Sequence, residues 1–141
     1  MATRRAYSQP QAGGYASARI RKVLGPGTLP ITTTDLVTGG VVVAARVPQG
    51  FTVTGINAVI PDMDTGATLT LSIGDSVLST RLVNASTAGQ AGGSITTLAA
   101  TGNYYTYPVD TDVLLTVTAG PAGATAGSIT NFYIEGFIAN P

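Results

Sequence analysis

The run Ala67-Thr68-Leu69-Thr70-Leu71-Ser72-Ile73 decides the fold class. Four apolar side chains alternate with three hydroxyl-bearing ones. In an extended chain successive side chains point to opposite faces, so this pattern describes a strand with one face buried and the other hydroxylated. Just upstream, Phe51-Thr52-Val53-Thr54-Gly55-Ile56-Asn57-Ala58-Val59-Ile60 keeps the same period with one slip. Phe51 and Val53 are in one phase, Ile56, Ala58 and Ile60 in the other, and Gly55 stands at the slip. A β-bulge at Gly55 keeps all five apolar side chains facing the core.

The rest of the chain repeats the theme. Residues 41–47 read as a strand, and Pro48-Gln49-Gly50 as the turn out of it. Leu78, Thr80 and Leu82 alternate with Ser79, Arg81 and Val83, and Val113, Leu115 and Val117 alternate with Leu114, Thr116 and Thr118. At the end of the chain Phe132, Ile134, Gly136 and Ile138 share one face, with Asn131, Tyr133, Glu135 and Phe137 on the other. Weaker strand patterns cover residues 31–37, 95–99 and 104–109. Turn-type stretches at 62–66, 74–76 and 120–123 separate the strands, and the Gly/Ala/Ser-rich residues 84–94 read as a flexible loop. No helical period of ten residues interrupts the series. About eight strands at this spacing predict an all-β, jelly-roll-type β-sandwich over residues 31–141, with an immunoglobulin-like arrangement as the alternative.

Residues 1–30 read differently. Pro and Gly punctuate them too often for a long element, so they are expected to form an extended basic N-terminal arm. It has room for one short helix at 16–24, where Ala16, Ile20, Val23 and Leu24 fall at helical spacing before Gly25-Pro26. The charge is divided in the same way. Seven Lys+Arg balance seven Asp+Glu over 141 residues, yet Arg4, Arg5, Arg19, Arg21 and Lys22 all lie in the first 22, leaving the remainder at −5. A basic arm on an acidic body suggests electrostatic contact with a partner. Thr, Ala, Gly and Ser make up nearly half of the chain and charged residues only 10%, so the surface is covered by hydroxyls or by another protein.

With no His and no Cys, the chain lacks an imidazole base, a thiolate nucleophile, a disulfide and the usual zinc ligands. No catalytic residue, cofactor or metal site is assigned. Asp62-x-Asp64-x-Gly66 resembles the start of a calcium loop but lacks its later ligands, and a plain turn is the favoured reading. Asp110-Thr111-Asp112 is read as a solvated strand face. A glycosidase pair among the Asp residues lacks aromatic platforms, there being no Trp. The basic N-terminus has no apolar run for a secretory signal, no stretch is long enough for a membrane helix, and no membrane contact is expected. The Asn84-Ala85-Ser86 sequon is read as chance.

Two groups of residues carry the binding expectations. In the arm they are Arg4, Arg5, Tyr7, Tyr15, Arg19, Ile20, Arg21 and Lys22, whose split cationic clusters fit docking along a protein better than packaging nucleic acid. In the body, Tyr104, Tyr105, Tyr107 and Phe137 are candidate interface residues, though capping of the core rim is favoured for the tyrosines.

The segments Gly50–Ile60 and Asp64-Thr65-Gly66-Ala67-Thr68-Leu69-Thr70-Leu71-Ser72-Ile73-Gly74-Asp75, together with Asp110-Thr111-Asp112-Val113-Leu114-Leu115-Thr116-Val117, resemble the head decoration (cement) proteins of tailed bacteriophages over about residues 36–138. The resemblance implies a small non-enzymatic β-sandwich sitting as a homodimer or homotrimer on the outer capsid surface, assembled in the host cytoplasm, bridging major capsid protein subunits. Direct contact with nucleic acid is not expected of such a protein. The alternatives are a carbohydrate-binding or adhesin-like virion module and a shell-forming capsid protein whose arm binds nucleic acid.

Overall fold

The computed structural model describes residues 19–139. Eight strands, β1 (Arg19–Ile31), β2 (Val41–Val47), β3 (Phe51–Ile60), β4 (Thr70–Gly74), β5 (Val83–Ser86), β6 (Gly93–Ile95), β7 (Thr111–Ala119) and β8 (Gly127–Ala139), form two antiparallel sheets. One has the order β1-β8-β3-β6 and the other β2-β7-β4-β5. The pairs β1·β8, β2·β7, β3·β6 and β4·β5 are nested, as if one long hairpin of all eight strands had been rolled up. The β3·β8 and β4·β7 ladders then close each sheet. This is the jelly-roll connectivity, and it excludes the immunoglobulin-like alternative.

The core lies between the sheets and is built from the inward-facing set of each strand. Phe51, Val53, Ile56, Ala58 and Ile60 are all buried, because the β3·β8 register shifts between Val53 and Gly55. The bulge expected at Gly55 is therefore what holds the β3 pattern in phase with the core. Leu69, Leu71 and Ile73 face Val113, Leu115 and Val117 in the same cluster, with Phe132 and Ile134 from the opposite sheet. Each fully buried side chain of this kind contributes about 1.5–3 kcal/mol relative to an exposed one. Ala67 is exposed, and β4 begins only at Thr70.

Three expectations need correction. First, Arg19–Ile31 is not arm and contains no helix. It is the edge strand of its sheet, paired from Arg19↔Ala139 to Ile31↔Gly127, and residues 1–18 lie outside the described part. The sandwich therefore begins at Arg19, not at residue 31. Gly25-Pro26-Gly27 looked like a stop signal because it breaks the period. Here it is a bulge, with register shifts on both sides of Gly27 and positive φ at both glycines. A Cβ on Gly25 would stand 2.5 Å from the Phe132 carbonyl oxygen, and Pro26 is tolerated because an edge strand does not need every N–H.

Second, residues 78–82 form turns and not a strand, and the strand β5 starts at Val83. Third, the supposed flexible loop 84–94 holds β5, a short 3-10 helix at Ala88–Gln90 and most of β6. The weaker strand patterns at 31–37, 95–99 and 104–109 are turns and irregular chain beyond Ile31 and Ile95, apart from one isolated bridge, Thr52↔Thr106.

Candidate functional site: a charged cleft at one end of the sandwich

The strand directions place Arg19, Val47, Phe51, Gly74, Val83, Thr111 and Ala139 at one end of the molecule. A cleft of about 340 Å3 opens there, between the β4–β5 turn, the 105–110 segment and the first residues of β7.

The turn after β4 is organised by Asp75. Its Oδ1 accepts the N–H groups of Val77 and Leu78 at 3.0 and 2.9 Å, and its Oδ2 accepts from Arg81 Nε. Gly74 is required beside it, since a Cβ there would lie 2.3 Å from the Leu78 carbonyl oxygen. The Asp75–Arg81 pair is deeply buried, with side chains 4% and 11% exposed. Burial pushes the Asp75 carboxyl up, but the Arg81 guanidinium and the Leu78 and Val77 amides outweigh it and hold the group below the usual range. Arg81 also lies over the Tyr105 ring, 3.8 Å from its centroid, and Tyr105 meets Tyr107 edge to face at 4.9 Å.

On the opposite wall Arg46 and Asp112 are cross-strand neighbours on β2 and β7, joined by an exposed 2.7 Å ion pair. Asp110 accepts the Gln49 N–H at 2.8 Å. Tyr107 is 1% exposed, and its hydroxyl makes no hydrogen bond within the protein. Burial and the nearby Asp75 charge push its ionisation well above the ordinary phenol. Such a hydroxyl stays protonated at neutral pH, and Asp75 has no free basic oxygen. This constellation is suited to holding a polar or charged group.

The sequence-based candidates distribute unevenly around this cleft. Tyr105 and Tyr107 line it, but Tyr107 is core and is not available as an interface residue. Tyr104 stands apart, 65% exposed with positive φ. Phe137 is half-buried on β8, opposite Thr52. Arg19, Ile20, Arg21 and Lys22 pair with Ala139, Ile138, Phe137 and Gly136 along β1, while Arg4, Arg5, Tyr7 and Tyr15 lie outside the described residues. Sequence reading missed Arg46, Asp75 and Arg81. The adjacent Gly74-Asp75 could have marked the turn, but nothing local announces that Arg81 folds back onto it.

The Asp62/Asp64 loop sits at the other end and is not a cation site. Asp64 is buried, and its two oxygens accept N–H groups from Gly66, Thr68, Leu69 and Ala122, each at 2.8 Å, and from Gly123 at 3.4 Å. Its burial raises the carboxyl pKa, but these donors more than reverse that and hold it far below the ordinary value of 3.8. A ring of donors saturates the carboxylate and leaves no lone pair facing a metal. Among the described residues no cluster of three metal-ligating side chains occurs.

No protein-family model matches the chain, and no curated protein does. Among solved structures, one chain of the cyanophage Pam1 capsid asymmetric unit superposes with a TM-score of 0.75 at 30% identity, over 97% of this chain and 98% of that one. A chain from the capsid of Ralstonia phage GP4 has the same fold, with a TM-score of 0.67 at 23% identity over 87% and 84%. The eight-stranded jelly roll thus defines a phage capsid-related structural protein. Its match to the Pam1 capsid chain, end to end, makes it a member of that chain's family.

Proposed function

We propose that the protein is a cement protein that binds the outside of an icosahedral phage head and stabilises it by bridging major capsid subunits. The observation that carries this reading is the near full-length likeness to a chain of the Pam1 capsid, joined to the sequence resemblance to head decoration proteins at Gly50–Ile60 and 64–75. A homodimer or homotrimer presents several binding faces at once, so each copy needs only modest contact energy. The cationic residues of the first 22 positions divide into two groups. Arg4 and Arg5, with Tyr7 and Tyr15, belong to the segment ahead of the fold, while Arg19, Arg21 and Lys22 belong to the edge strand β1. Both groups contact the capsid lattice, the first by ordering along it, the second by presenting an open strand edge.

Heads assembled without the protein are expected to lose resistance to heat and to chelation, and unchanged resistance refutes the cement role. Deleting residues 2–18, which spares all of β1, leaves the sandwich folded and strongly weakens attachment to heads. Full occupancy after that deletion assigns the segment no part in binding. Imaging of the particle places the protein directly, and a position inside the shell or on a spike overturns the outer-surface reading.

A further inference from the structure

The cleft holds one group the fold alone leaves unexplained. The Tyr107 hydroxyl is buried with no hydrogen-bond partner in the protein, an arrangement that costs free energy unless something else supplies the bond. Its surroundings are charged. Asp75, Asp110 and Asp112 face Arg46 and Arg81 across the cleft, so the lining carries one uncompensated negative charge. Asp75 is saturated by Arg81 and two backbone N–H groups, and Asp112 is engaged by Arg46. Asp110 gives Oδ1 to Gln49, and its Oδ2 has no partner among the described residues. At the rim, Val77 and Val109 are 86% and 61% exposed. A group matched to this set has an apolar stem for the valines and a cationic head that donates several hydrogen bonds. An arginine side chain has both.

The fold also indicates where such an arginine comes from. Arg19 pairs with Ala139, Ile138 pairs with Phe51, and the Phe51 carbonyl receives the Tyr107 N–H. The chain therefore enters β1 at the cleft end, about 10 Å from Phe51 at two strand spacings. Residues 1–18 contain Arg4 and Arg5 and no acidic residue. The segment from Arg5 to Arg19 spans up to roughly 45 Å when extended, ample to reach the cleft of its own copy or of a neighbour.

We propose that the cleft is a socket for the Arg4-Arg5 pair of the N-terminal segment, with the side-chain methylenes against Val77 and Val109 and a guanidinium shared between Asp110 Oδ2 and the Tyr107 hydroxyl. The socket makes the N-terminal segment a latch and gives the orphan hydroxyl its partner. It does not depend on where the protein sits on a head, because the test uses the isolated full-length chain.

Tyrosine-ring NMR signals at low salt are compared between the unaltered protein, the Arg4→Ala/Arg5→Ala double variant and Asp110→Asn. Both variants are expected to shift the Tyr105 and Tyr107 signals in the same direction and to leave Tyr133 in place. A synthetic peptide of residues 1–18 restores the signals of the double arginine variant, and the same peptide with alanine at both arginines does not. Tyr107→Phe is expected to lower the melting temperature of the unaltered protein by a few degrees and to have no such effect in the double-variant background. Ring signals indifferent to Arg4 and Arg5, an alanine peptide that works equally well, or a Tyr107→Phe effect equal in both backgrounds each overturn the socket. Attachment to heads that fails while these couplings persist overturns only the cement role.

Discussion

Two aspartates, eleven positions apart, stand at opposite ends of the sandwich and are used in opposite ways. Asp64 accepts only backbone N–H groups and ties the loop before β4 to the β7–β8 connection through Ala122 and Gly123. Asp75 divides its oxygens between a turn and a single guanidinium, and the cleft beside it keeps Asp110 Oδ2 and the Tyr107 hydroxyl unengaged within the protein. One end of the molecule is closed by its own backbone, and the other retains capacity for a ligand. The same residue type in the same turn context thus serves as a structural anchor or as part of a binding wall, according to what long-range pairing brings beside it.

The sharpest way to break the comparison is to remove the anchor. Asp64→Ala leaves at least four backbone donors without an acceptor in a buried loop, and the melting temperature is expected to drop by about 10 °C or more in thermal unfolding followed by circular dichroism. The depressed carboxyl pKa sets the sign of the acid response. The stability Asp64 confers is complete above the ordinary value of 3.8 and is lost as pH falls below it. The acid limb of a stability curve is therefore expected to flatten in Asp64→Ala.

At the cleft end, Arg81→Ala strands the Asp75 carboxylate and uncovers Tyr105, and chemical denaturation is expected to show a loss of about 3 kcal/mol. Gly74→Ala forces a Cβ into the Leu78 carbonyl. A loss of about 2 kcal/mol, with cleft resonances disturbed and those near Asp64 unchanged, would sharpen the independence of the two ends. Arg46→Ala, at the exposed pair, is expected to cost no more than about 0.5 kcal/mol, and that little should vanish in high salt.

Sequence legibility followed strand length and locality. β2 and β3 were readable to the residue, bulge included, because seven to ten residues carry enough alternation to fix both phase and slip. β5 and β6 were not. With three or four residues each, and mostly Asn, Ala, Ser and Gly, they are strands only because β4 and β3 offer them hydrogen bonds. β1 was hidden by its Gly25-Pro26-Gly27 bulge, which moves the apolar phase from Leu24 to Leu29 and Ile31 and imitates a break. The cleft was legible only in pieces. Tyr105, Tyr107 and the two late aspartates are conspicuous in the chain, but their meeting with Arg46 and the Asp75–Arg81 turn is a product of the β2·β7 and β4·β7 ladders.

The nested pairing also governs when the molecule comes into being. β1 is synthesised before the other strands of the fold, yet its partner β8 is the last of them to be made. The edge that carries Arg19 to Lys22 must wait, unpaired, until residues 127–139 have been made. Closure of the sheet is thus a late, long-range event of the slow kind that non-local β folds show. A basic strand exposed through most of translation gives a window in which contact with a capsid lattice or with a sister chain competes with the protein's own folding.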